Sequence, residues 1–364
     1  MRRLLIALIG AMLLGSVLLG QLKVDVGLIN VVATVTDEGG QYVSDLTVDD
    51  FILIEDGQSQ RISHLTQSND LPVSVGITLD SSGSMERKIT TATKAVERFI
   101  RTIHEDDDIF LLTFSDRPVL RQDFTDDREK LSLALRRVTV GGGTALYDAL
   151  EESLRKIKKG GHDKKAILLL TDGEDTSSMI GFDEALLGVR ESEMLVYCVG
   201  ISPGNMTMSE QPPIFTGGGR TGPTQGPPVP PRNPPGRGGT IQIPIPGLPG
   251  GIPIPIPRRR PFSYQRTPGG GNPTINRDSV DMVVLNSFAD ASGGKAWLLS
   301  GNWTEGRGNQ VEAILDQIAA DLRNQYSIGY YPTHSLQDGK WHRIEVKTKN
   351  PKYRVRARKE YFGK

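Results

Sequence analysis

The polar turn at residues 80–84, Asp-Ser-Ser-Gly-Ser, follows an apolar run at residues 73–79 that predicts a buried strand. The turn offers one carboxylate, Asp80, and two hydroxyls, Ser82 and Ser84. Hard oxygen donors of this kind suit Mg²⁺ or Mn²⁺ better than Zn²⁺, which prefers nitrogen and sulfur. On its own, the turn fits a metal site and an ordinary helix cap equally well.

Two later segments favour the metal site. A glycine-rich loop at residues 141–143 places the hydroxyl of Thr144 just before a predicted helix, and an apolar strand at residues 166–171 ends at Asp172. The carboxyl ends of parallel strands share one edge of a sheet, where ligand sites collect. Asp80 and Asp172 can therefore converge at that edge, with Thr144 completing the group.

This combination resembles the von Willebrand factor A-type (VWFA) domain, whose metal-ion-dependent adhesion site (MIDAS) uses a DxSxS turn, a threonine loop and a distant aspartate. The resemblance covers roughly residues 70–330. It implies that the two serines and the threonine contact Mg²⁺ or Mn²⁺ directly, and that the two aspartates act largely through water. It also implies a position on the ion that stays open for an acidic group of a partner. The implied metal residues are Asp80, Ser82, Ser84, Thr144 and Asp172.

The elements around these motifs alternate between strands and helices. This alternation predicts an α/β fold, VWFA- or Rossmann-like, with a doubly wound, mostly parallel sheet and helices on both faces. The predicted strands are residues 73–79, 109–114, 118–123, 166–171, 194–201 and 295–299. The predicted helices are residues 85–103, 127–138, 145–158, 183–192, 281–292 and 309–324.

Two β-patterned segments bracket the VWFA-type domain, which we assign to residues 71–325. Residues 22–70 contain β-branched stretches and a short helical turn capped by Thr47, and residues 326–364 alternate apolar and charged positions. We expect the two segments to meet in space and form one small β module. The order of these parts resembles the VWFA-related proteins of Acidobacteria.

The segment at residues 203–278 departs from both patterns, because it holds 19 of the 23 prolines of the chain. Proline can neither continue a helix nor donate to a β ladder, and a segment this rich in proline and glycine buries too little to fold alone. We therefore predict a disordered insertion within the VWFA-type domain, with no ladder and no helix.

The amino terminus has the layout of an export signal. A basic start precedes an apolar run of 16 residues at positions 4–19, which is short for a membrane-spanning helix of about 20 residues. We predict that residues 1–21 are a signal peptide or a signal anchor of a bacterial protein. The protein would then be periplasmic, extracellular or anchored to the cell envelope, and an uncleaved membrane anchor stays open as an alternative.

Composition and motifs limit the classes of partner and reaction. The 43 basic and 43 acidic residues balance, so no overall field favours nucleic acid. None of the five histidines lies in an HExxH motif, and the glycine loop at residues 141–143 lacks the lysine of a phosphate-binding loop. These motifs therefore give little support to an enzymatic function.

We predict an exported binding module, not an enzyme, that captures an exposed Asp or Glu of a protein ligand through a MIDAS-bound cation. One alternative is a metal-dependent hydrolase in which the aspartates hold a nucleophilic water. Another is a structural domain with a silent metal site. Hydroxyl ligands leave the ion electrophilic, which favours capture of an anion over formation of hydroxide.

Overall fold

The computed structural model describes residues 27–67, 71–202, 240–243, 252–255, 280–299 and 308–363. Short 3₁₀ turns lie at Val48–Asp50 and Gly83–Arg87. The strands are β1 (Ile29–Thr36), β2 (Phe51–Glu55), β3 (Gln58–Gln60), β4 (Ile62–Gln67), β5 (Val73–Asp80), β6 (Asp108–Phe114), β7 (Pro118–Thr125), β8 (Lys164–Thr171), β9 (Leu195–Ile201), β10 (Thr240–Ile243), β11 (Ile252–Pro255), β12 (Ala296–Leu299), β13 (Gln325–Tyr330), β14 (Trp341–Thr348), β15 (Arg354–Ala357) and β16 (Glu360–Phe362). The helices are α1 (Ile89–Thr102), α2 (Arg128–Arg136), α3 (Leu146–Ile157), α4 (Phe182–Ser192), α5 (Met282–Ser292) and α6 (Gly308–Arg323).

The central sheet has six strands in the order β12-β9-β8-β5-β6-β7. Neighbouring strands pair in parallel except for β7, which runs antiparallel to β6. Every residue of β5 and of β9 is buried, as expected of strands that are covered on both faces. The predicted doubly wound, mostly parallel sheet is confirmed.

Helices cover both faces of this sheet. On one face, Phe99 of α1 and Leu315 of α6 share a core with Ile77 of β5. On the other face, Leu150 of α3 and Phe288 of α5 share a core with β8. The apolar helix positions therefore face the sheet, which is what their spacing in the sequence predicts.

The start of α1 differs from the single helix predicted over residues 85–103. A 3₁₀ turn comes first, closed by hydrogen bonds from Met85 N to Ser82 O (3.1 Å) and from Lys88 N to Met85 O (2.8 Å). The α-helix begins only at Ile89. The tighter winding of a 3₁₀ turn changes which side chains face the sheet edge, and here it directs Ser84 and Lys88 to the candidate site described below.

The two terminal β segments form one β module, as predicted. One sheet has the order β15-β1-β13-β4 and the other β16-β14-β2-β3. Antiparallel pairs join the two chain ends, with Val31 opposite Ile328 and Leu53 opposite Val346. These four residues lie in a single buried core. Strand β16 was not predicted, because a three-residue strand is too short to show an alternating pattern.

A buried carboxylate joins the β module to the α/β domain. Asp321 of α6 is 4% exposed and accepts hydrogen bonds from the Tyr197 hydroxyl and from Arg356 Nη2 (2.5 Å). Tyr197 belongs to β9 of the central sheet and Arg356 to β15 of the module. The described residues other than 240–255 form one compact unit.

Two predicted segments lie wholly or mostly outside the described residues. The export signal at residues 1–21 is one of them, and within the described ranges no helix has the length and apolar character needed to cross a membrane. The insertion at residues 203–278 is the other. There, the prediction of no ladder is wrong for β10 and β11, which pair antiparallel with Ile241 opposite Ile254. Proline is tolerated in β11 because both strands of a two-stranded ladder are edges, where a missing N–H costs little.

A charged cluster lies at one end of the β module. The His342 side chain is 6% exposed, and its Nδ1 lies 2.8 Å from Asp56 Oδ2 and its Nε2 3.2 Å from the Asp338 carboxylate. Ionised carboxylates only accept hydrogen bonds, so both ring nitrogens must donate and the ring is held as an imidazolium. The His334 ring stacks on it at 3.8 Å.

A buried carboxylate, Glu55, completes the cluster. It is 2% exposed and its Oε1 accepts hydrogen bonds from Tyr330 (2.8 Å) and Tyr361 (2.6 Å). His334 Nε2 lies 3.4 Å from the same oxygen. The cluster therefore connects β2, β13, β14 and β16 with the turns beside them, and we expect it to stabilise the module.

These contacts shift pKa values in opposite directions. Burial lowers the pKa of His342, but hydrogen bonds to Asp56 and Asp338 outweigh it, and the net shift is upward. The Arg343 amide and then His342 lower the pKa of Asp56, while His342 is the main cause that lowers the pKa of Asp338. The stabilisation is lost as pH falls through the lowered aspartate pKa values. It is lost again as pH rises through the His342 pKa, which lies above its ordinary value of about 6.5.

We predict that His342→Gln flattens the fall in the free energy of unfolding as pH rises above about 6.5, the ordinary pKa of histidine, because glutamine cannot carry the charge that wild type loses there. Urea unfolding at a series of pH values measures this. The control is His64→Gln, at an exposed histidine of the same module, which should keep the wild-type profile. If the free energy of unfolding depends on pH in the same way in wild type and in His342→Gln, the assignment of His342 as a stabilising imidazolium is contradicted.

Candidate metal site

The candidate metal site lies at the edge of the central sheet where the parallel strands end. Asp80 is the last residue of β5, and Asp172 directly follows β8. Ser84 donates a hydrogen bond to Asp172 Oδ1 (2.7 Å), and its Oγ lies 3.0 Å from Ser82 Oγ. Asp80 Oδ1 accepts a hydrogen bond from the Ser82 amide (2.8 Å). Four of the five predicted metal residues are thus joined directly.

Asp80 is fully buried and has only neutral hydrogen-bond donors. Its Oδ2 accepts a hydrogen bond from the Thr171 hydroxyl (2.6 Å), and Ser82 supplies the other donor. Burial raises the pKa of Asp80 to about 6, because the hydrogen bonds from Ser82 and Thr171 only partly offset the loss of water. A cation beside this carboxylate would favour its charged form.

The fifth residue, Thr144, is positioned by the glycine loop. Gly142 has φ +83°, and a Cβ there would lie 2.5 Å from Asp116 Oδ2, so only glycine fits. Its carbonyl accepts a hydrogen bond from Gly83 N (3.1 Å), which fixes the loop against the serine turn. The Thr144 amide donates to Thr176 Oγ1 (2.9 Å).

The Thr144 hydroxyl lies on the same side of the site as the Ser84 hydroxyl. A Cβ built on Gly173 would lie 3.5 Å from Thr144 Oγ1 and 3.9 Å from Ser84 Oγ. Gly173 thus borders both hydroxyls. The structure therefore brings all five predicted residues together at one edge.

A sixth residue, Lys88, was not predicted. Its Nζ donates to Asp172 Oδ2 (2.6 Å), and the two side chains are only 6% and 0% exposed. Both oxygens of Asp172 are therefore engaged, one by Ser84 and one by an ammonium group. A buried ion pair is strongly destabilised when one partner is removed, because the other charge stays buried.

The sequence did contain a signal for Lys88. It lies three residues after Met85 and four before Ala92, which are buried at helical spacing. A lysine on the buried side of such a pattern needs a partner of opposite charge, and Asp172 is the partner it finds.

The donor set fits a hard divalent cation. Three hydroxyls and two carboxylates supply only oxygen, and the two aspartates with Lys88 leave one net negative charge. Ser84 is partly exposed and Gly83 and Gly142 are exposed, so the edge can be reached from solvent. The residues that would hold Mg²⁺ or Mn²⁺ are Ser82, Ser84 and Thr144, with Asp80 and Asp172 behind them.

The loop between β8 and α4 forms one rim of this edge. Asp148, on the first turn of α3, accepts hydrogen bonds from the amides of Met179 (3.0 Å) and Ile180 (3.1 Å). Asp175 Oδ1 accepts from the Leu146 amide (2.9 Å). These hydrogen bonds fix the backbone at Met179, whereas its side chain is 93% exposed. The rim therefore presents a large apolar group to solvent, which the sequence analysis did not identify.

The histidine cluster of the β module also contains metal-binding residue types. Candidate ligand atoms of Glu55, His334 and His342 lie within 4.8 Å of one another. The two rings are nearly parallel, at 10° and 3.8 Å. An ion bound by imidazole lies near the ring plane, so one ion cannot bond well to both stacked rings. We therefore assign this cluster to stability.

Part of the chain matches a known family of sequences. A family model described as von Willebrand factor type A domain matches residues 75–174. The chain is 31% identical over 109 residues to the uncharacterized protein sll0103 of Synechocystis, which covers 29% of this chain and 26% of that protein. It is 29% identical over 156 residues to calcium-activated chloride channel regulator 1 of Equus caballus, over 40% of this chain and 16% of that protein. The matches thus span about a quarter or less of these relatives.

Solved structures similar to this chain share little sequence with it. A von Willebrand factor type A protein of Catenulispora acidiphila is 12% identical, over 88% of this chain and 74% of that chain, with a TM-score of 0.46. Proximal thread matrix protein 1 of the mussel byssus, with a zinc-occupied MIDAS motif, is 18% identical over 39% and 38%, with a TM-score of 0.34. The vWF domain of the pili tip protein Mfa5 of Porphyromonas gingivalis is 26% identical over 29% and 39%, with a TM-score of 0.28.

We predict that Lys88→Met has opposite effects on stability and on metal affinity. Without the ammonium, the buried Asp172 carboxylate loses its counter-ion, so the metal-free protein should lose about 3–5 kcal/mol of unfolding free energy. Mn²⁺ should bind more tightly, because it no longer competes with an ammonium for Asp172. Urea unfolding in metal-free buffer and calorimetric titration with Mn²⁺ measure the two effects.

The control is Lys130→Met, which removes an ammonium from an exposed ion pair with Asp127 and should change both quantities little. Equal or weaker Mn²⁺ affinity in folded Lys88→Met would contradict competition between the lysine and the metal.

Proposed function

This chain carries a von Willebrand factor type A domain, and from that premise we propose that it is a metal-dependent binding module. It would capture an acidic group of a partner protein through Mg²⁺ or Mn²⁺ at the candidate metal site. The observation that carries the proposal is the convergence of Ser82, Ser84, Thr144, Asp80 and Asp172 at one sheet edge, where Ser84 is partly exposed.

The charge of the site supports capture of an anion. The two aspartates and Lys88 leave one net negative charge, so a bound divalent cation would give the site a net positive charge. The bound cation would supply an electrophilic position, since three of the protein groups that would hold it are neutral hydroxyls. A carboxylate of the partner, such as an exposed Asp or Glu, fits that position by charge and by its hard oxygen atoms.

The rim supports recognition of a protein rather than a free small acid. Met179 is almost fully exposed, while the backbone that carries it is fixed by Asp148. Flexible, polarizable methionine side chains adapt to varied apolar surfaces at binding sites. A partner residue beside the captured carboxylate would contact this methionine.

We further propose that the protein acts outside the cytoplasm. The support is the sequence pattern at residues 1–21, a basic start followed by an apolar run. An exported module of this kind would meet partners in the cell envelope or on its surface.

We predict that the protein retains acidic peptides only when a divalent cation is present. The probe is a peptide array in which each peptide carries one central Asp or Glu, paired with an array carrying Asn or Gln. Retention should require Mg²⁺, disappear in EDTA and be limited to the acidic array, because only a carboxylate matches the charge of the loaded site.

Thr144→Ala is the matched variant, since it removes one hydroxyl that would hold the ion. It should lower Mn²⁺ affinity about tenfold or more and abolish retention, whereas Thr90→Ala, at an exposed threonine, should change neither. Retention that survives EDTA would contradict the proposal. Cleavage of the peptides, lost in Thr144→Ala, would instead support the metal-dependent hydrolase.

A further inference from the structure

A cavity of about 280 Å³ lies at the opposite edge of the central sheet from the metal site. Val73, Lys164 and Leu195, the first residues of β5, β8 and β9, line it. Asn30 of β1 and Arg358 of the carboxy-terminal segment line the side formed by the β module. Its volume is near the lower end of small-molecule pockets, which span about 300–1,000 Å³.

Arg358 gives this cavity a buried cation with an unpaired donor, its Nε. Its exposure is 6%, and its Nη2 donates to Asn30 O (2.8 Å). Within the described part of the chain, Nε has no hydrogen-bond partner, whereas Nη1 forms an ion pair with Oε1 of the exposed Glu193 at 3.1 Å. An unpaired donor on a buried guanidinium is costly, so an acceptor in the cavity would be bound favourably.

Gln325 gives the cavity a buried acceptor. It is 1% exposed, and its Nε2 donates to the Tyr197 hydroxyl (3.0 Å). That hydroxyl in turn donates to Asp321, so it can only accept from Gln325. The amide orientation is therefore fixed, and its Oε1, which has no hydrogen-bond partner among the described residues, is available to a donor.

The charged residues that line the cavity leave one net positive charge. Lys164 and Lys165 line it beside Arg358 and are half-buried, whereas the two acidic lining residues, Asp163 and Glu193, are exposed. Exposed charges are screened by water more than buried ones, so the buried cations dominate.

The remaining walls of the cavity combine six apolar residues with three hydroxyl residues, Thr66, Ser292 and Ser327. The apolar residues are Val32, Leu71, Val73, Met194, Leu195 and Leu322. A ligand that matches the whole cavity therefore has a negative acceptor group for Arg358, an apolar body and one neutral donor for Gln325. We propose that this cavity binds a small organic carboxylate with an apolar body, and that a hydroxyl next to the carboxylate strengthens binding through Gln325.

The test is calorimetric titration of the full chain in metal-free buffer, so that the metal site cannot capture the acid. The probes are hexanoate, 2-hydroxyhexanoate and hexanamide. The affinity for hexanoate should be at least about ten times that for hexanamide, because the amide lacks the charge that Arg358 attracts. The hydroxy acid should bind more tightly than hexanoate.

Two variants assign the contacts. Arg358→Lys, which keeps a charge but removes Nε, should weaken hexanoate about tenfold, while Arg354→Lys, at an exposed arginine of β15, should not. Gln325→Leu should remove the advantage of the hydroxy acid over hexanoate. If either variant fails to fold, the comparison of acid with amide on wild type decides. The proposal is overturned if neither acid binds at 20 mM, if hexanamide binds as tightly as hexanoate, or if folded Arg358→Lys binds hexanoate like wild type.

Discussion

Two carboxylates without access to water, those of Asp80 and Asp172, set the conditions for the whole edge of the sheet around them. Burying a charge costs several kcal/mol in a folded protein unless partners compensate. Asp172 is compensated by an ammonium and a hydroxyl, and Asp80 only by neutral donors. The 3₁₀ turn after β5 supplies Ser84, and the residues that flank the turn, Ser82 and Lys88, supply two more of these partners.

The asymmetry between the two aspartates connects stability with binding. Lys88 lets the protein fold with Asp172 charged in the absence of a metal ion, while Asp80 keeps a charge that no cation in the described structure offsets. A divalent cation would therefore gain most from Asp80 and would have to share Asp172 with Lys88. Affinity for the metal and stability without it are thus in opposition at this site.

Much of this arrangement could be predicted from the sequence, because it depends on local pattern. Apolar strands ending at Asp80 and Asp172, and a glycine loop before Thr144, place their side chains at one edge in any parallel sheet. Other features depend on contacts between distant residues. Arg358 meets Asn30 across 328 positions, and Lys88 meets Asp172 across 84. The ladder in the proline-rich segment was not predicted, because proline cannot donate a hydrogen bond to a ladder. Edge strands nevertheless tolerate proline.

The central claim is that the five converging residues hold a divalent cation. Crystals of the protein soaked in millimolar Mn²⁺ and measured at the manganese absorption edge test it most directly. The account predicts that the strongest anomalous peak lies at the carboxyl edge of the sheet, in contact with the hydroxyls of Ser82, Ser84 and Thr144. No peak at that edge, or a stronger one at the His334 and His342 cluster, would contradict it.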